Sequence, residues 1–169
     1  MSTIDRTVGD RGRLMTPERA ADHIDRLYRL AIALCGSPHD AEDLVQEAYA
    51  RVLARPRRIH GTDEFPYLAR IVRNLVYDHH RRRAATADPA ADWEEAVDTS
   101  AASDPETVAH ARELCALVRE LPDAQRDAVA AVDVAGMSYR QAASALGVPL
   151  GTVMSRLARG RSRLAAALG

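Results

Sequence analysis

The C-terminal stretch 138–168 constrains the fold more than any other part of the chain. It contains five arginines and no acidic residue, so its formal charge is +5. Ser138 is followed three residues later by Gln141, which is the spacing of a capping box at the start of a helix. Gly147 stands where that helix can end in the left-handed conformation. Two short helices around a turn that contains glycine predict a helix-turn-helix.

The second helix of this unit has two different faces. Val153, Leu157 and Leu164 repeat at helical spacing and predict its buried side. The polar positions predicted to face outward are Ser155, Arg156, Arg159 and Arg163. A surface hairpin with a solvated basic face is the alternative. Because no acid compensates the arginines, a DNA-facing helix is the favoured interpretation.

Charge along the chain is unevenly distributed. Residues 56–83 carry +4, residues 84–107 carry -7, and residues 138–169 carry +5. Two basic segments separated by an acidic one indicate two nucleic-acid-facing modules joined by a spacer. With only 4% aromatic residues, the cores of a 169-residue chain must use Ala, Leu and Val. This composition favours small helical bundles.

Several classes of protein are disfavoured by what the sequence lacks. No stretch is apolar enough for a membrane span, and the N-terminus has no signal-peptide pattern. Cys35 and Cys115 are isolated, which favours small core residues over a redox pair. We therefore expect a cytoplasmic protein with no metal site and no cofactor.

The N-terminal domain is predicted over residues 21–83, after a disordered tail at 1–20. Ser37 and Pro38 begin a helix as N-cap and first helical residue. Asp40, Asp43 and Glu47 share one face of that helix. On spacing alone, an ordinary solvated acidic face is the favoured interpretation of these carboxylates.

A further predicted helix, beginning near Asp63, carries basic and aromatic side chains outside its apolar stripe. They are Tyr67, Arg70, Arg73, Asn74, Tyr77, Arg81, Arg82 and Arg83. The arginine run alone is also explained by the favourable interaction of cations with a helix C-terminus. Together with an amide that can read a base edge and rings that can stack on an unpaired base, it favours nucleic-acid contact.

The rest of the chain completes an all-α prediction of two small helical domains. Residues 84–107 are rich in Ala, Asp, Pro and Ser without periodicity and predict a flexible acidic linker. Residues 108–169 form the second domain, which ends in the helix-turn-helix. Asp104 is the predicted N-cap of its first helix.

Four motifs in order resemble the extracytoplasmic-function (ECF) sigma factors of bacterial RNA polymerase. They are DAEDLVQEAYARVL at 40–53, FPYLARIVRNLVYDHHRRR at 65–83, LPDAQRDAV at 121–129 and GMSYRQAASALGVPLGTVMSRLARGRSRL at 136–164. The resemblance covers most of the chain from about residue 22. It implies a protein that binds core polymerase, directs it to promoters and helps to melt the minus-10 box.

The resemblance also implies roles for residues. Those implied to dock on the polymerase β′ clamp helices are Asp40, Asp43, Gln46 and Glu47. Those implied to bind the minus-10 box are Tyr67, Arg70, Arg73, Asn74, Tyr77, Arg81 and Arg82. Those implied to bind the minus-35 box are Arg140, Gly151, Thr152, Met154, Ser155, Arg156, Arg159 and Arg161. The implied partners are core polymerase, including its β flap, promoter DNA and an anti-sigma factor.

Three residues depart from the family pattern. Tyr67 stands where Trp is frequent, and Met154 where a basic residue is common. Gly160 replaces a usual Ala in the recognition helix, at a cost of roughly 1 kcal/mol for an exposed site.

Two other functions compete with a sigma factor. A stand-alone helix-turn-helix regulator of duplex DNA would use the same C-terminal unit but requires nothing in residues 22–83. A metal-dependent hydrolase would use His79 and His80, or His60 with Asp63 and Glu64. Adjacent histidines on a helix point about 100° apart, and no catalytic motif is present, so we expect no enzyme.

Overall fold

The computed structural model describes residues 12–55, 57–60, 64–86 and 105–169, and these residues are mainly helical. The elements follow in chain order: β1 (Arg13–Leu14), α1 (Pro17–Ala21), α2 (Ile24–Cys35), α3 (Pro38–Ala54), β2 (Arg58–Ile59), α4 (Glu64–Thr86), α5 (Pro105–Glu120), α6 (Asp123–Val129), a π-helical turn (Ala130–Val134), α7 (Tyr139–Leu146) and α8 (Leu150–Leu168). None of the helices in these ranges is long and apolar enough to cross a membrane.

The N-terminal domain, residues 12–86, is built on the three longer helices α2, α3 and α4, which pack on one another. Its fully buried side chains include Leu27, Val52, Leu68 and Val72. The turn between α2 and α3 forms as the sequence predicts. Gly36 adopts a left-handed φ of 78°, and the Ser37 hydroxyl accepts a hydrogen bond of 3.2 Å from the backbone N–H of Asp40. This turn sets the course of the acidic helix.

The structure differs from the predicted tail at residues 12–20. Arg13 pairs with Ile59 in the antiparallel strands β1 and β2, and Met15 is buried. Thr16 caps α1, and the Tyr49 hydroxyl donates a 2.7 Å hydrogen bond to the carbonyl oxygen of Ala20. A two-residue strand has no alternation to detect, and these contacts come from partners far along the chain. Residues 1–11 lie outside the described residues.

The helices extend further into the acidic segment than the prediction allowed. Helix α4 continues to Thr86, because the alanines after Arg83 are strong helix formers. Helix α5 begins at Pro105. The rest of the predicted linker, residues 87–104, lies outside the described residues, together with Trp93 and the predicted N-cap Asp104.

The C-terminal domain, residues 105–169, contains the predicted helix-turn-helix in α7 and α8. Ser138 and Gln141 form both hydrogen bonds of the capping box, at 3.2 and 3.0 Å. Gly147 ends α7 with a φ of 66°. Leu157 of α8 packs in a small core with Val118, Leu121, Ala128 and Val129. The local signals therefore place this unit correctly.

The two domains pack against each other through α2 and α4 on one side and α5, the π-helical turn and α7 on the other. Buried residues of both domains, including Leu34, Val72, Ala131 and Ala145, belong to one continuous apolar core. Within the described residues, β1 and β2 are the only strands. The prediction of an all-α protein with two helical domains is confirmed.

Candidate polymerase and nucleic-acid interfaces

The acidic face of α3 divides into one internal carboxylate and two exposed ones. The Asp40 side chain is only 16% exposed; Arg83 Nη1 donates a 3.1 Å hydrogen bond to its Oδ2, and His79 Nε2 lies 3.5 Å from the same oxygen. Asp43 is 66% exposed. Glu47 is partly exposed and accepts a 2.5 Å hydrogen bond from Arg51 one turn on. Asp40 therefore ties α3 to the end of α4, while Asp43 and Glu47 face outward.

Gln46 is exposed beside these carboxylates and lines an open groove between α2 and α3. The groove has a volume of about 400 Å³, and its other walls are Ile24, Asp25, Tyr28, Glu42, Val45 and Tyr49. Ile24 at its rim is 45% exposed although it is a large apolar residue. A groove with an exposed apolar residue at its edge, next to acidic groups, suits a protein partner with apolar and basic side chains.

The residues predicted to bind minus-10 DNA line the long helix α4, but they do not share one environment. Asn74, Arg81 and Arg82 are exposed, and Arg81 pairs with Asp78 one turn earlier. Tyr67 is half-buried against the core. The remaining three, Arg70, Arg73 and Tyr77, contact the C-terminal domain.

Arg73 and Tyr77 both hydrogen-bond to Asp127 of α6. Arg73 Nε donates to Oδ2 at 2.7 Å, and the Tyr77 hydroxyl donates to Oδ1 at 2.9 Å. Arg70 donates to the carbonyl oxygens of Ser144 and Ala145 at the end of α7. Burial is the largest cause that raises the pKa of Tyr77, and the nearby Asp127 carboxylate raises it further. The phenol therefore stays protonated and remains a hydrogen-bond donor.

Two residues of this contact were missed by the sequence reasoning. Asp127 is 3% exposed, and its sequence signal is an acid directly before the buried pair Ala128 and Val129. Arg26 of α2 donates to the carbonyl oxygens of Ala135 and Gly136 at 3.0 and 3.1 Å. Its guanidinium also lies 3.7 Å from the centre of the Phe65 ring. No local pattern distinguishes Arg26 from a surface arginine.

Helix α8 presents a distinct outer face. Val153 and Leu157 are buried, whereas Gly151, Met154, Ser155 and Arg159 are exposed. Arg159 Nε donates to the carbonyl oxygen of Ser155 at 3.2 Å, and the Ser155 hydroxyl donates to that of Thr152 at 3.1 Å. These are weak local contacts that leave donors available for an external partner. The first half of α8 is therefore an exposed helix end of the type that enters a major groove.

The other arginines near α8 occupy different settings. Arg140 at the start of α7 is exposed, and Arg156 is half-buried. Arg161 forms two hydrogen bonds with Asp133, at 3.0 and 2.5 Å, and these raise its pKa. Arg161 therefore braces α8 against the π-helical turn. It is the one predicted minus-35 arginine with a carboxylate partner among the residues described.

Of the two histidine sets considered for a metal site, the structure describes His79 and His80, whereas the set with His60 includes Asp63, which lies outside the described residues. The ring centroids of His79 and His80 are 6.4 Å apart, and His79 faces Asp40 instead. In the described part of the chain no group of three His, Cys, Asp or Glu side chains is placed to hold a metal ion. Cys35 is buried, which raises the pKa of its thiol to about 11.

A helix-turn-helix domain joined to an arginine-bearing helical domain defines a two-module DNA-binding protein. Comparison with known families agrees with both modules: Sigma-70 region 2 matches residues 20–86, and Sigma-70 region 4 matches residues 111–164. The relatives are ECF sigma factors, and this chain belongs to that family.

Over 154 residues the chain is 42% identical to the ECF RNA polymerase sigma factor SigE of Mycolicibacterium smegmatis, covering 87% of this chain and 59% of SigE. It is 40% identical to SigM of Mycobacterium tuberculosis, covering 87% and 74% of the two chains. It is 34% identical to EcfG of Rhodopseudomonas palustris, covering 86% and 80%. The chain thus spans less than two thirds of SigE and most of the other two.

A solved structure has the same arrangement of helices. The sigma factor RpoE of Bartonella quintana, crystallised in complex with the anti-sigma factor NepR, superposes with a TM-score of 0.71 at 26% identity. The match covers 89% of this chain and 94% of RpoE. CnrH, in complex with the cytosolic domain of CnrY, has a TM-score of 0.61 at 23% identity and shows the fold alone.

Proposed function

We propose that this chain directs core RNA polymerase to specific promoters and helps to open them. In this proposal Asp43, Gln46 and Glu47 of α3 dock on the β′ clamp helices. Helix α4, through residues that include Arg73, Asn74 and Tyr77, holds the melted minus-10 strand. The first half of α8 reads the minus-35 duplex. The chain itself performs no reaction, since the polymerase supplies the chemistry, and it acts in the cytoplasm.

The observation that carries the proposal is the exposure of two separate faces in one chain that matches both sigma regions. The exposed carboxylates of α3 suit a basic protein partner, and the exposed Ser155 and Arg159 of α8 suit DNA. A regulator that uses only α7 and α8 has no need for the α3 face.

Asp40 is proposed to have a structural role instead of a docking role. Because it binds Arg83 and His79, its role is to fix the angle between α3 and α4 instead of meeting the polymerase directly. The C-terminal domain is proposed to rest on the β flap, and an anti-sigma factor is the proposed regulator.

The test is reconstitution with purified core polymerase and genomic DNA, followed by sequencing of the transcript starts. We expect starts that share an upstream and a downstream box at fixed spacing, and that disappear without the chain. Starts identical to those of core polymerase alone would contradict the proposal.

A stand-alone regulator makes the opposite prediction for the free protein. It would shift a palindromic duplex without polymerase, whereas a sigma factor should bind duplex weakly when free. The engagement of Arg70 and Arg73 by the C-terminal domain supports weak binding, because these cations are not available to phosphates. Tight and sequence-specific binding by the protein alone would favour the regulator.

A further inference from the structure

Three arginines of the N-terminal domain have their guanidinium groups on acceptors of the C-terminal domain. Arg26 reaches the carbonyls of Ala135 and Gly136, and Arg70 reaches those at the end of α7. Arg73 reaches the Asp127 carboxylate. In each of these contacts the cation comes from the first domain and the acceptor from the second.

Asp127 is the only carboxylate among these acceptors, and it is almost fully buried. A buried carboxylate is tolerated only when donors surround it, and here Arg73 and Tyr77 supply them from the other domain. Apolar side chains from both domains line the same small cavity as Arg73 and Asp127, among them Leu30, Ala69, Met137 and Ala145. When the domains part, Asp127 returns to water, and Arg73 and Tyr77 lose their partner.

Arg73 and Tyr77 belong to the proposed minus-10 surface. A carboxylate and a DNA phosphate can bind the same two groups, because each is an anion that accepts hydrogen bonds from a guanidinium and a hydroxyl. Asp127 therefore stands in for nucleic acid on this face of α4. The Arg73 guanidinium also lies 5.0 Å from the centre of the Tyr77 ring, so the pair is held as one unit.

We propose that Asp127 is an intramolecular latch that holds the two domains together and blocks Arg73 and Tyr77 from single-stranded DNA until the domains separate. This inference rests on the proposed function, which assigns the two residues to DNA. The apparent affinity for a strand equals the affinity of the open form multiplied by the fraction of molecules that are open. Docking of α3 and α8 on two sites of a large partner would favour the open form, because it requires the domains to part.

The decisive variant is Asp127→Asn in the full chain. Asn keeps the shape of the side chain but removes the charge that holds Arg73. Two measurements are made on the free protein: the radius of gyration by small-angle X-ray scattering, and binding of a fluorescein-labelled random single strand of about 12 nucleotides. We expect a larger radius and binding roughly 10-fold tighter, as for a wild-type protein about nine-tenths closed.

A matched control separates the latch from the change in net charge. Glu120→Gln removes one negative charge from an exposed position at the end of α5. It should leave the radius unchanged and tighten strand binding by much less than Asp127→Asn. Equal effects of the two variants would overturn the latch, because they would show that net charge alone explains the gain.

Arg26→Gln tests the same interface from the other domain, without touching Asp127 or a proposed DNA contact. It should also expand the protein and tighten strand binding, to a smaller extent. If Asp127→Asn loses its helical circular dichroism, Arg26→Gln decides alone. Unchanged radius and binding in the variants that fold would overturn the latch. Promoter-specific transcription by wild-type protein with core polymerase is scored separately, so its failure would count against the proposed function instead.

Discussion

Gly160 of α8 lies so close to Val129 of α6 that a Cβ atom at position 160 would be 2.8 Å from Val129 Cγ2. The same atom would be 3.5 Å from Gln125 Cβ. Gly160 is buried, so packing as well as helix propensity decides its effect on stability. The glycine allows α8 to approach α6 closely, and this approach helps to set which face of α8 is turned outward.

Replacement of Gly160 by Ala should destabilise the protein. Alanine improves helix propensity by about 1 kcal/mol. The added methyl group overpacks the α6–α8 contact at a cost of about 1–3 kcal/mol, since buried, β-branched Val129 has little freedom to move. We expect a net loss of about 1 kcal/mol in the free energy of unfolding, measured by urea denaturation.

Gly151→Ala is the control for this substitution. It lies in the same helix, but a Cβ there has open space around it, so its stability should be unchanged or higher. Val129→Ala combined with Gly160→Ala should recover part of the loss expected from the two single changes, because neighbours that share a contact are not additive. Strict additivity would show that the clash is not the cause.

Reversing two charges on α3 should separate the chain from core polymerase. Asp43→Arg with Glu47→Arg places cations on one exposed and one partly exposed position, neither of them in the core, so folding should be little affected. Repulsion from a basic partner should weaken association by at least about tenfold. The measurement is the affinity for purified core polymerase, with circular dichroism as the check on folding.

The control for this double reversal is Glu113→Arg with Glu120→Arg. It makes the same change of net charge on exposed positions of α5. Association with core polymerase should then remain close to that of the wild type. If both double variants lose binding equally, the α3 face is not the docking surface.

Acid should destabilise the folded chain through His80. Burial is the largest cause that lowers the pKa of His80 from its ordinary 6.5. The nearby Arg126, His79 and Arg83 lower it further, and Asp123 opposes them. Below about pH 6.5 the unfolded chain therefore binds a proton that the folded chain resists. The contribution of neutral His80 to the free energy of unfolding is fully present above that pH. It is lost as the pH falls through 6.5 toward the lowered pKa of His80 in the folded chain.

His80→Gln should flatten this dependence. Urea midpoints measured between about pH 7.5 and about pH 5.5 should fall less for the variant than for the wild type, in a range above the titration of ordinary carboxylates. Identical slopes for the two proteins would assign the acid sensitivity to another group.

Local signals predicted the helices and their ends better than anything else in the fold. The caps at Ser37 and Ser138 and the left-handed glycines 36 and 147 act within one or two turns, so neighbouring residues are enough to determine them. The apolar spacing of α8 likewise predicted Val153 and Leu157 as buried residues, and both are.

The contacts between distant parts of the chain could not be predicted in this way. Arg73 and Asp127 are 54 residues apart, and nothing near either of them specifies the other. The burial of Met15 and the close approach at Gly160 also depend on the packing of distant elements. Contacts between distant residues depend on which helix faces pack together. Apolar periodicity predicts that a helix has a buried face, but it does not predict which other helix packs against that face.

The two helices proposed to bind DNA should show different defects when each loses one side chain. Asn74 and Arg159 are both exposed, on α4 and α8 respectively, so neither replacement by Ala should unfold the protein.

Arg159→Ala should weaken recruitment to the upstream box and relax its specificity, by about 1–3 kcal/mol for a bidentate contact to guanine. Asn74→Ala should leave closed complexes intact and impair opening, because its proposed target is an unpaired base. Holoenzyme binding and permanganate reactivity are compared on a duplex promoter and on one with a pre-melted minus-10 bubble. The bubble should restore the open complex of Asn74→Ala, because the minus-10 strands are already separated in this template. It should not restore the defect of Arg159→Ala. Rescue of Arg159→Ala alone would reverse the proposed division between the two helices.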